Sequence, residues 1–375
     1  MSQLIKLAVV LPLLLMTTGL MASIDVLNKP AIASKLAEKS VLIALVKNKD
    51  HIVAVGERGH VINWHSAGQW QQDKVPVSVL LTAVTILSDG TKVAVGHDSA
   101  IIICPPNSDE WVKVFDGYQL LDLKIESYQQ QMESLNTAIA AADDETLIED
   151  LEFSLEDVSF GLEDAQTEKA EGPNKPLLSV AATSDDQIFV VGAYGTLLYS
   201  NDKGATWQLQ DNKLENPDRF HLNSIIATAD NRLYIVGENS TGFVSNDSGL
   251  TWQTMDMPYE GTLFGISAQS NSPNLVAFGL QGNIMASTDS GNSWTLKRID
   301  TSGSFQGGVI SPNGRAYIVG HGGIVIDFDV SNLDDLNIRK HPSGAAFAMP
   351  LAQDDELILV GQYGIISWPH NKEAQ

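Results

Sequence analysis

A seven-bladed β-propeller, all-β apart from one inserted α-helical hairpin, is the fold this sequence predicts. Three observations carry the prediction. A β-branched segment ending in glycine recurs seven times, an Asp-containing turn recurs three times in register, and one stretch of about 55 residues exchanges strand periodicity for helix periodicity.

The recurring segment occupies residues 53–56, 93–96, 190–192, 235–237, 276–279, 318–320 and 359–361. Its glycines lie 40, 96, 45, 42, 41 and 41 residues apart, so every interval but one equals a single unit of four short strands. In the fifth unit the expected strands are 262–268, 274–279, 283–288 and 292–298. The seventh unit offers three, at 344–350, 356–361 and 365–368. An unpaired sheet edge invites association. Residues Ser23 to Leu27, just before the first blade, are therefore expected to complete blade seven.

Three turns share Ser-x-Asp-x-Gly-x-Thr/Ser-Trp. They contain Asp202, Gly204 and Trp207, then Asp247, Gly249 and Trp252, then Asp289, Gly291 and Trp294. The carboxylate accepts backbone N–H bonds inside the turn, the glycine takes a positive φ, and the tryptophan packs the hairpin onto its blade. They read as folding devices, not as catalytic or metal-binding acids.

Between Asp116 and Asn174 apolar residues recur at Leu121, Ile125, Tyr128, Met132, Leu135 and Ile139, and again at Leu147, Leu151, Leu155, Val158, Leu162 and Ala165. Steps of three and four place each set on one helix face. Ala142 to Glu145 is a polar turn between the helices, and Gly172-Pro173 ends the excursion. The expected insertion spans 117–172, between blades two and three. From 116 to 172 there are 16 acidic residues against Lys124 and Lys169, so this segment carries −14 of the chain's −23.

That charge disfavours nucleic acid and anionic lipid, both polyanions, as principal partners. Lys6, an apolar run over 7–16 and small residues at Gly19, Ala22 and Ser23 read as an export signal over residues 1–22, cut near Ala22, with a periplasmic destination. The lone Cys104 excludes an intramolecular disulfide and reads as a core residue.

The three turns resemble the Asp-box, or BNR, repeat of sialidase-like propellers. Together with the seven glycine segments, over 40–368 without the insertion, they resemble the Ycf48/HCF136 family of photosystem II assembly factors. That resemblance implies a seven-bladed, non-catalytic assembly or scaffolding protein for a membrane complex. Photosynthetic members use an arginine-rich surface, whereas the six arginines here are scattered.

In a propeller, the connections between blades and the turns after each glycine segment share one face. The expected partner-binding set is therefore Arg58, His97, Tyr194, His321 and Tyr363, with Glu149, Asp150, Glu152, Glu156 and Asp157 of the insertion. No Gly-x-Ser-x-Gly, His-Glu-x-x-His or phosphate-cradling loop occurs, and no cofactor or metal is expected. The reading is a monomeric exported factor that binds a protein, belonging to a membrane or envelope complex such as a transporter. The alternatives are a periplasmic glycan or small-molecule binding module and, further off, a sialidase-like glycosidase.

Overall fold

A computed structural model describes residues 25–48, 51–65, 69–353 and 356–369. The expected export signal lies outside these residues. Seven antiparallel sheets follow one another along the chain, six of four strands and the last of three. Blade one holds Leu42–Asn48, His51–Gly56, Val61–His65 and Gln69–Gln72, its strands A to D. Blade five holds Leu263–Ala268, Leu275–Gly279, Asn283–Ser287 and Thr295–Arg298, within three residues of the expected bounds.

The second strand of each blade is apolar at successive positions because it is buried on both faces. In blade five, Leu275 and Ala277 face blade four, where they meet Tyr234, Val236 and Met255. Val276 and Phe278 face blade six and meet Ala316 and Ile318. The alternation continues round the ring. Tyr317 and Val319 of blade six meet Leu357 and Leu359 of blade seven, and Val360 of blade seven meets Leu42, Leu45, Ile52 and Ala54 of blade one. Face-to-face burial of blade seven on blade one closes the propeller. Cys104 lies in the core shared by blades one and two, as expected.

The recurring glycine has a packing cause. A Cβ added at Gly56, Gly237 or Gly279 would sit 2.1 Å from the carbonyl oxygen of the residue that leads into strand A, and at Gly96, Gly192, Gly320 and Gly361 it would sit 2.2–2.6 Å from the matching one. In every blade the next residue's N–H donates to that same carbonyl, as Leu280 does to Thr262 at 3.1 Å and His321 to Ser304 at 3.2 Å. The two backbones meet at a register shift in the A–B pairing, and only hydrogen fits between them.

Closure by the N-terminal segment is corrected for its described part. Residues 25–27 form no strand, and among the described residues blade seven has three, Phe347–Gln353, Glu356–Gly361 and Gly364–Pro369. Val26 accepts at its carbonyl a bond from the Ser78 N–H, 2.9 Å away, and Leu27 is buried with Val75, Val77 and Trp111. The pocket between blades one and two offers this leucine more apolar surface than an open sheet edge does, and that decides its place. Farther along the same segment the turn at Ala37–Lys39 reaches blade seven, for a Cβ on Gly364 would meet the Glu38 carbonyl at 2.0 Å.

Candidate partner-binding site

The insertion is two helices, α1 (Gly117–Ala141) and α2 (Glu145–Glu171). Asp116 starts α1 with a capping box: its carboxylate accepts from the Tyr118 N–H, and Gln119 Oε1 accepts from the Asp116 N–H. Asp144 caps α2 by accepting from the Leu147 N–H at 3.0 Å. Gly172, at φ 105°, turns the chain out of α2 in a conformation that favours glycine.

The hairpin is seated at its base, with one further contact from Arg219 part-way along it. Leu120 packs into the core between blades two and three with Phe115, Leu177 and Trp207. Gly117 lies against the Asp98 carbonyl, and the Ser99 hydroxyl donates to the Lys175 carbonyl at 2.9 Å, which ties the hairpin's roots to the turn after blade two's glycine. From Ile125 to Asp157 no residue is buried. The outer half of the insertion is thus largely open to solvent, and Leu147, expected on the apolar stripe of α2, is exposed there because it lies at the helix's free end.

Between the hairpin and blade three, with the loop that follows that blade, runs a groove of about 950 Å³, bounded by Lys124, Tyr128, Asp157, Tyr194, Asp211 and Arg219 among others. Lys124 is 8% exposed and its Nζ donates to Thr196 Oγ1 at 3.2 Å. Burial pushes its pKa down from 10.5 to about 8, and burial also raises that of the neighbouring Asp211. Arg219 reaches the hairpin from the loop after blade three, its Nη2 3.1 Å from Asp157 Oδ2 and its guanidinium 5.8 Å from the Tyr128 ring. Lys175 lies 4.8 Å over Tyr194.

The Lys124 amine gives the seat a pH dependence of definite sign. The unfolded chain holds this proton up to about 10.5 and the folded one to about 8, so across that window the unfolded state binds more protons and stability rises with pH. Tyr128, whose pKa burial raises above 10.0, stays neutral through most of it. Amide exchange in the first turns of α1 should slow as pH rises from 8 to 10, after correction for intrinsic rates. Lys124→Met should flatten that trend, and an unaltered trend in the variant would contradict the assignment.

Arg58, His97, Tyr194, His321 and Tyr363 are all exposed in the turns that follow the blade glycines. Tyr194 alone of the five borders the groove. The blade-two turn His97–Ser99 touches the start of α1 through the Asp98 carbonyl. His321 accepts at Nδ1 from the Ser304 N–H at 3.4 Å, the role of a turn residue. Among the described residues no group of three or more His, Cys, Asp or Glu side chains is placed to hold a metal ion. Of the five hairpin acids, Asp157 is engaged by Arg219, and the other four form no ion pair among the described residues. The six arginines do not gather at one site, and only two share a partner. Arg315 and Arg339 both bind Asp327, Arg232 binds Asp230, and Arg219 binds Asp157.

The three Asp-box turns superpose in their bonding. Asp202 Oδ1 accepts from the Thr206 N–H at 2.9 Å and Oδ2 from its hydroxyl at 2.6 Å, and Asp247 and Asp289 repeat both bonds with Thr251 and Ser293. Those donors hold the Asp202 carboxyl at about 2. Every oxygen is committed inside its own turn, consistent with a structural role.

Sequence reasoning counted Lys124 only as a charge, although its place three residues after Leu121 and four before Tyr128 put it on the buried stripe. Arg219 carried no such signal, because its partner is brought to it by the tertiary fold. Phe153 and Phe160, both on α2 and both exposed, were also passed over.

A family model described as photosynthesis system II assembly factor YCF48 matches residues 166–326, that is, blades three to five and most of blade six, without most of the hairpin. A solved structure of YCF48 bound to D1 peptide aligns over 93% of this chain and 100% of that one, at 12% identity and a TM-score of 0.58. YCF48 from Cyanidioschyzon merolae aligns over 91% and 98%, at 11% identity and 0.57. The WD40 repeats of RRP9 align over 91% and 96%, at 11% identity and 0.62. Likeness at such identity speaks for the propeller fold. No curated protein matches the chain.

Proposed function

We propose, on the premise that this chain is a Ycf48-like propeller, that it is an exported, non-catalytic accessory factor holding a protein of a membrane or envelope complex through its hairpin-bearing face. The observation that carries this reading is the hairpin itself: fastened to blades two and three at its base, superfluous to ring closure, open along its outer half, and bearing most of the chain's net charge. The dispersed arginines and self-satisfied Asp-box carboxylates favour binding over catalysis. A YCF48 structure solved with a peptide of D1 supports a protein as the ligand class.

The test is affinity capture from detergent-solubilised membranes of the source cell, with the full chain and with residues 118–171 replaced by a short Gly/Ser bridge. The truncated protein should melt as a cooperative propeller and lose the partner that the full chain holds. A partner retained by the truncated protein would contradict the reading and favour a ligand on the propeller axis.

A further inference from the structure

The sequence of α2 repeats every seven residues. Glu149-Asp150 precedes Phe153 by four and three residues, Glu156-Asp157 stands likewise before Phe160, and Glu163-Asp164 follows in the same register. Residues seven apart on a helix lie within about 20° of one line. Three columns result, with Glu149, Glu156 and Glu163 on one flank, Asp150, Asp157 and Asp164 on the other, and the two phenyl rings between them. The columns run about 22 Å at 1.5 Å per residue. The opposite face of the helix holds Leu151, Leu155, Val158, Leu162 and Ala165, none of them exposed and two, Val158 and Ala165, buried. The phenylalanines lie off that face. Phe153 is 75% exposed and Phe160 is 59% exposed.

We infer that this ridge is a docking seam for a basic amphipathic helix of the partner protein, a deepening that rests on the function proposed above. The seven-residue period is the spacing at which a second helix places one side chain per repeat against the same line, so a helix fits the ridge along its length where an extended strand would not. The two rings supply the apolar anchors, and the flanking carboxylates select lysine or arginine on either side of the partner's own apolar stripe. Asp157 is already taken by Arg219 of this chain, so the carboxylates left for a partner are Glu149, Glu156 and Glu163 on one flank and Asp150 and Asp164 on the other. A second copy of this chain would bring identical acidic columns against these, and an anionic lipid surface would repel them; neither suits the seam.

The probe is a fluorescent amphipathic helix of leucine and lysine about as long as the seam, titrated by anisotropy onto the protein at physiological ionic strength. Phe153→Ser with Phe160→Ser keeps every charge, and because both rings are exposed the melt should stay unchanged. Affinity should fall at least about tenfold in that variant. Glu149→Gln with Glu156→Gln and Glu163→Gln should weaken binding and reduce its dependence on salt. Unchanged affinity in the serine variant, equal binding of a lysine peptide without leucine, or a concentration-dependent dimer abolished by the serines would each overturn the inference. In the membrane capture, loss of the partner on removing the hairpin but retention by the serine variant sinks the seam and leaves the hairpin reading standing. Retention by both sinks the two together.

Discussion

Gly279→Ala is expected to destabilise the propeller by about 3 kcal/mol or more, one of the largest effects available from a single methyl group. The backbone at Gly279 is extended (φ −168°), so conformational freedom is not the issue. The added Cβ would lie 2.1 Å from the Thr262 carbonyl oxygen and 2.8 Å from the Leu263 Cα, both of them backbone atoms that cannot rotate away. Relief requires parting strands A and B, which breaks the bond from the Leu280 N–H to that carbonyl and shifts Leu263, a fully buried residue. Urea unfolding of the two proteins measures the cost. A difference below 1 kcal/mol would show that the A–B contact is soft.

Trp207→Ala should cost about 3–5 kcal/mol, the range for truncating an aromatic side chain in a core. Its ring is buried between blades two and three, 6.1 Å from that of Phe115, in the same cluster as Leu120 of α1. The loss should therefore loosen the hairpin's seat as well as the blade contact, read as faster amide exchange at the start of α1. Trp252, the matching residue of the next Asp-box, is only half-buried and stands edge-on to Phe189 at 6.4 Å, so its truncation should cost less than that of Trp207. An equal or larger loss at Trp252 would contradict this ranking.

The fold was legible because the propeller repeats its constraints. Seven glycines are needed where seven pairs of backbones touch, three Asp-boxes close three hairpins in the same way, and helix periodicity in the insertion cannot be mistaken for strand alternation. Ring closure was not legible. A missing strand suggested the nearest free segment, yet Leu27 is drawn to an apolar pocket that only the assembled blades one and two create. The partner-binding set was legible in its placement on one face and not in its detail. The seat at Lys124, Tyr128 and Arg219 depends on a loop 62 residues beyond Asp157 in sequence. The ridge of Phe153 and Phe160 was hidden by the stronger stripe on the opposite side of the same helix.

In the function proposed above the hairpin, not the axis or the rim, meets the partner. Site-specific photocrosslinking measures it most directly, with a photoreactive residue placed in turn at Glu156 on the hairpin, at His321 in the turn after blade six's glycine, and at Ser248 in an Asp-box. An adduct to the membrane partner is expected from position 156 and none from position 248. Adducts from 321 or 248 with none from 156 would contradict it.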